Sequence, residues 1–173
     1  MRIHLAADYL GYELARQLEA WLKANHEVIW HAGDEIDEGD DYPLFAVRIG
    51  QSVIADEDKG LDTFGILVGG TGNGEVIALN KVKGARATLA VSKELVEAAR
   101  HEQNANALVI GAGHTNLEQA KSLIQVALES NIRTHIAESF MQGLKDLFES
   151  HYIELPEAKQ DLVAALQEKI VKL

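Results

Sequence analysis

Apolar positions along the first two thirds of the chain fall into short runs that alternate with segments of helical spacing. Arg2-Ile3-His4-Leu5-Ala6-Ala7 is the first strand-like run, and Asp8-Tyr9-Leu10-Gly11 is the turn after it. Leu14, Leu18, Trp21 and Leu22 then recur at the interval of one helix face. Glu27 to Trp30 reads as a second strand, and a helix opened by Tyr42-Pro43 puts Phe45, Ile49 and Val53 on one side. The third strand, Phe64 to Val68, runs into a glycine-rich loop and a helix from Gly74 to about Val82. A fourth strand is expected over Gly84–Val91, with Ser92 capping a helix over Lys93–His101 and no capping box, because Leu95 stands where Glu or Gln would be needed. Asn106 to Gly111 is the fifth strand, and Asn116 caps a helix that buries Ala120, Leu123, Ile124, Ala127 and Leu128.

Strands alternating with helices over short connections predict an α/β fold, a Rossmann-like three-layer sandwich with a five-stranded parallel sheet. This unit would occupy residues 1–130. Residues 131–173 read as a helical C-terminal extension broken only at Leu155-Pro156, packed on the domain or on a partner subunit. Its apolar residues, Phe148, Leu162 and Leu166 among them, exceed what one small sheet can cover, so a homodimer or an intramolecular fold-back is expected. In such a sheet ligands bind beyond the C-terminal strand ends, which gathers Asp8, the glycine loop and the segment Gly111 to His114.

The glycine loop carries the chemistry. Gly69-Gly70-Thr71-Gly72-Asn73-Gly74-Glu75 holds four glycines within six residues, so backbone N–H groups can converge on an anion without Cβ obstruction. Glu75 follows in the first helical turn, where the dipole favours its ionised form, the state a proton-abstracting base requires. The same position equally suits a plain helix-starting glutamate. Asp8, a carboxylate at a strand's C-terminal edge, is a second site candidate, with a helix-capping role as its structural counterpart. The loop is neither a dinucleotide fingerprint, since it follows the third strand, nor a Walker loop, since no Gly-Lys-Ser/Thr follows.

Composition narrows the classes that remain. With no cysteine there is no thiolate nucleophile, disulfide or thiolate metal site, and a net charge of −11 argues against nucleic acid as a partner. The acidic loop Asp34-Glu35-Ile36-Asp37-Glu38 through Asp41 lacks the ligand spacing of a calcium loop, so no metal is expected and no cofactor. No stretch approaches the roughly 18 apolar residues of a membrane span. The chain begins without a basic-then-apolar leader, so a cytoplasmic protein without a signal peptide is expected.

The ordered pieces Ala7-Asp8 with Gly11-Tyr12-Glu13-Leu14, then Asp41-Tyr42-Pro43, the loop Gly69 to Glu75, Asn80 to Ala87, and Asn104-Ala105-Asn106 resemble the ribose-5-phosphate isomerase B family and its galactose-6-phosphate isomerase relatives. The resemblance implies aldose–ketose isomerisation of a sugar or sugar phosphate through a cis-enediolate, in a homodimer or tetramer whose sites are shared between subunits. Many members carry a cysteine base where this chain has Gly69; a second branch has glycine there and uses a glutamate, which here is Glu75. Thr71 and the amides of Gly70, Gly72, Asn73 and Gly74 would then stabilise the enediolate, with Asp8, Tyr9, Tyr42 and Asn104 as further site residues. A non-catalytic sugar-phosphate binder, an accessory subunit or an epimerase would share the same motifs.

The chain also departs from the family pattern. Tyr9 replaces a histidine, and Glu102 stands at the ring-opening histidine's position with His101 one residue earlier. Gly113 replaces an arginine with His114 beside it, and Arg133 is left as the candidate phosphate cation, with Arg86 and Lys93 as substitutes. These changes fall on phosphate binding and ring opening, not on proton transfer.

Overall fold

A computed structural model describes residues 1–35, 42–130 and 138–143. The elements are β1 (Arg2–Ala7), α1 (Tyr12–Leu22), β2 (Glu27–Trp30), α2 (Tyr42–Glu57), β3 (Thr63–Gly69), α3 (Asn73–Leu79), β4 (Ala87–Leu89), α4 (Lys93–Gln103), β5 (Ala107–Gly111) and α5 (Leu117–Glu129). All strands pair in parallel in the order β2-β1-β3-β5-β4. The α/β sandwich expected from the alternation is therefore present. Most of the acidic loop, Arg133 and nearly all of the C-terminal extension lie outside the described residues.

The central strands are apolar on both sides because both faces are covered. Ile3, Leu5, Phe64, Ile66, Leu108 and Ile110 face a core shared with α1, α4 and α5. Ala6, Leu67, Ala107 and Val109 face the other core, built on Phe45, Ile49 and Val53 of α2 and Leu79 of α3. At about 25 cal/mol per Å², each fully buried leucine or isoleucine contributes roughly 2 kcal/mol before its entropy cost. Covered faces on both sides also leave the strand ends as the open edges of the sheet. Strand order reverses between β1 and β3, and the crevice at their C-terminal ends is where this topology places ligands.

Two boundaries depart from the sequence pattern. β4 spans Ala87–Leu89 instead of Gly84–Val91. Gly84 turns at φ +87°, and the Arg86 amide is taken by the Asn106 side chain, so this segment leaves the ladder before β4 begins. α3 ends at Leu79 rather than near Val82, and the Asn80 side chain then bonds both the N–H and the C=O of Ala87 on the edge strand. At the helix starts, Ser92 accepts the Leu95 amide, and Asn116 forms a full capping box with Gln119.

Candidate active site

β1 and β3 run side by side, with Ala7 opposite Val68, so the residues that follow them emerge together. The Asp8 amide bonds the Val68 carbonyl at 3.2 Å, and its carboxylate accepts the Gly11 amide at 2.9 Å, which turns the chain into α1. The N-cap of α1 is Gly11, without a side-chain capping bond, so Asp8 braces the turn ahead of the helix and does not cap it. After β3, Gly72 takes the left-handed conformation at φ +81° and starts α3, whose third residue is Glu75. The two carboxyl groups are brought together here, Asp8 5% and Glu75 4% exposed, and they share a hydrogen bond.

The place of the Glu75 side chain is set by what Gly69 lacks. A Cβ at Gly69 would fall 1.7 Å from Glu75 Oε1 and 2.3 Å from its Cδ, so the carboxylate fills the volume a side chain at 69 would need. Burial pushes the Glu75 carboxyl up from its ordinary range, and the hydrogen bond and charge of Asp8 push the same way, against its own amide and that of Gly70. The helix-start position expected to favour ionisation is outweighed. Removing the group from water and facing it with a second carboxylate costs more than one short helix end returns.

Around the pair is a cavity of about 700 Å³ lined by Asp8, Tyr9, Leu10, Tyr42, Gly70, Thr71, Gly74, Glu75, Ala112 and Gly113. Tyr9 and Leu10 stand exposed at its mouth, and the Tyr42 ring packs against Gly74. The Gly70 amide serves the Glu75 carboxylate, and the Asn73 amide serves the Thr71 hydroxyl at 3.3 Å. Among the described residues, the amides of Thr71, Gly72 and Gly74 are left without an acceptor. Thr71 and Gly74 line the cavity and offer their amides to an oxyanion there, whereas Gly72 is buried and does not line it.

The other candidates lie elsewhere. His114 does not line the cavity; its Nε2 donates to the Thr71 carbonyl at 3.1 Å from the outer side of the loop. His101 is in the last turn of α4, 3.9 Å from Glu97, and Asn104 is the left-handed cap of that helix at φ 50°. Both sit at the C-terminal end of α4, which leads into the N-terminal end of β5, whereas Glu75 follows the C-terminal end of β3. Arg86 is there too, spent on Asn104, Gly84 and Glu57, and so is not free for an anion at the cavity. Lys93 borders a separate groove between α4 and α5. Leu10 and Ala112 were not singled out from sequence; their signal was only adjacency to the ends of the first and fifth strands.

Residues 3–140 match the family model of ribose/galactose isomerases. The ribose-5-phosphate isomerase B of Mycolicibacterium paratuberculosis is 38% identical over 125 residues, covering 72% of this chain and 76% of that protein. The Mycobacterium leprae protein of the same name is 39% identical, with 72% and 75% covered. The solved ribose-5-phosphate isomerase B of Mycoplasma genitalium with bound ribulose 5-phosphate superposes with a TM-score of 0.80 at 28% identity, over 87% of this chain and 97% of that one. Residues 124–173 separately match the T4-phage like capsid assembly scaffolding protein family, mostly outside the described residues.

Proposed function

The chain belongs to the ribose/galactose isomerase family and is an aldose–ketose isomerase of a sugar phosphate; from that premise we propose that Glu75 is the base that moves the proton between C1 and C2. The observation that carries this is the buried Glu75 carboxylate in the empty side-chain space of Gly69, facing Asp8 across the cavity floor. Ionised Glu75 takes the C2 proton of the open-chain aldose, and the C–H electron pair becomes the C1–C2 double bond of a cis-enediolate. The charge that develops on O1 meets the amides of Thr71 and Gly74, where each good donor is worth on the order of 3 kcal/mol. Glu75 then returns the proton to C1 while a hydroxyl proton passes from O2 to O1, giving the ketose. Asp8 orients the two hydroxyls by accepting their hydrogen bonds, with Tyr9 and Tyr42 against the sugar.

His101, Asn104 and Arg133 enter the proposal through a second subunit. The separation of His101 and Asn104 from Glu75 within one chain, together with exposed Ile77, Val91 and Leu95 around the edge strand, supports a homodimer with shared sites. The division into a domain over residues 1–130 and an extension over 131–173, and a cytoplasmic location, belong to the same reading. Among the described residues no helix is long and apolar enough to cross a membrane.

The test is C–H exchange with ribose 5-phosphate and ribulose 5-phosphate in deuterated water. Wild-type protein incorporates deuterium and interconverts the two, whereas Glu75→Gln loses roughly 10²- to 10⁴-fold, the usual worth of a positioned base. Exchange by Glu75→Gln at the wild-type rate would exclude Glu75 as the base.

A further inference from the structure

Three consecutive carbonyls of the glycine loop are each held by one of three consecutive residues after β5. The Ala112 amide bonds Gly69 O at 2.8 Å, the Gly113 amide bonds Gly70 O at 2.8 Å, and the His114 side chain bonds Thr71 O at 3.1 Å. The first two extend the β3–β5 ladder beyond its last pair, Gly69 with Gly111. At the third step the backbone has turned away, and an imidazole replaces the amide. A carbonyl oxygen only accepts, so His114 Nε2 carries the proton, and the Thr115 hydroxyl 3.3 Å from Nδ1 can donate to the other nitrogen and hold that tautomer.

A trans peptide unit points its N–H opposite to its C=O. Fixing the carbonyls of Gly69, Gly70 and Thr71 therefore fixes the amides of Gly70, Thr71 and Gly72. The first of these holds the Glu75 carboxylate; the other two are among the amides left without an acceptor. We propose that residues 112–114 form a positioning strap for the oxyanion-binding loop, in which His114, by holding the Thr71 carbonyl, acts as a positioning residue that keeps the Thr71 amide aimed at the enediolate. This rests on the reading of Glu75 and the loop as the proton-transfer site. Gly111 makes the arrangement possible: a Cβ there would come within 2.5 Å of Thr71 O and 2.3 Å of His114 Nε2, so any side chain would push the strap and the loop apart.

A group that orients an oxyanion donor acts mainly in the transition state, so its loss lowers kcat and kcat/KM together and leaves KM in place. Deleting an oxyanion donor costs about 10²- to 10³-fold, and loosening one costs less, on the order of tenfold. Full-length His114→Ala and His114→Gln are assayed with ribose 5-phosphate beside Glu75→Gln, with thermal melts confirming that each is folded. The expected result is a kcat near one tenth of wild type for His114→Ala at unchanged KM, largely recovered by His114→Gln, whose amide can donate to the same carbonyl. Gly111→Ala should show the same loss at unchanged KM with His114 intact; if it unfolds, the His114 pair decides. Wild-type kcat in His114→Ala, equal losses in both His114 variants, or a raised KM at unchanged kcat would overturn the strap. Those outcomes beside an inactive Glu75→Gln defeat the strap alone, whereas an active Glu75→Gln defeats the underlying reading.

Discussion

Replacing Gly69 by alanine adds one methyl group where the Glu75 carboxylate now sits. The new Cβ would stand 1.7 Å from Oε1, 2.3 Å from Cδ and 2.8 Å from Cγ of Glu75. Ordinary contact needs about 3.5 Å, so the carboxylate must retreat by well over 1 Å. The end of β3 is clamped between β1 and β5, so the side chain is the part that yields. A displacement of about 1 Å at a reacting group costs on the order of 10²-fold, and loss of the Gly70 amide and Asp8 contacts adds to it. The expected outcome is a kcat for ribose 5-phosphate lowered by 10²- to 10³-fold, on the order of 3 to 4 kcal/mol of barrier. The fold should be little affected, because overpacking of this size costs about 1–3 kcal/mol and the evicted carboxylate sheds its burial penalty. Turnover, deuterium exchange and thermal melting on the same preparation separate the two effects. A folded Gly69→Ala enzyme within about threefold of wild-type kcat would refute the placement of Glu75 as the base.

Two further outcomes follow from the charges. As the proposed base Glu75 must be ionised to act, and Asp8 helps to hold its carboxyl above the ordinary range. Activity should therefore fall with acid at a higher pH than an ordinary glutamate would give, and Asp8→Asn, which removes the opposing charge, should move the acid limb of kcat/KM to lower pH; an unmoved limb would contradict the pairing. On the other side of the sheet, His4 bonds His31 at 2.8 Å and Asp56 at 3.1 Å, with Arg2 on Asp56 and Arg48 on the His31 carbonyl. Burial, then the charges of His4 and Arg48, lower the His31 value from 6.5 to about 4. A lowered histidine favours the native state above its unfolded value, and that contribution is lost as pH falls through the folded one. Denaturant midpoints should therefore drop between pH 6.5 and about 4, less steeply in His31→Gln.

Much of this was legible in the sequence because the signals were local. Alternating periods gave the order of elements, and the positions of Asp8 and Glu75 after the first and third strands brought both to one edge of a parallel sheet. The helix position of Glu75, which favours its ionised form, can be read from the chain, while its burial against Asp8, which pushes the carboxyl up, cannot. Four glycines in the loop suggested freely converging amides, yet the Gly70 amide is committed to Glu75 and the Asn73 amide to Thr71. His114 was expected at the substrate and instead braces the loop from outside, since side-chain direction in a turn depends on the carbonyl it finds. Arg86 shows the same limit. Its charge suggested an anion contact, and tertiary partners at the opposite edge absorb it.

The volume above residue 69 also has a historical consequence. A cysteine at that position and a glutamate reaching in from 75 would claim the same few cubic ångströms, so one chain of this shape cannot hold both in those places. A lineage exchanging one base for the other has no gradual handover, in which the new group takes over while the old one still serves. Packing thus makes the two side chains mutually exclusive, and a thiol could enter at position 69 only if the carboxylate of Glu75 left that space.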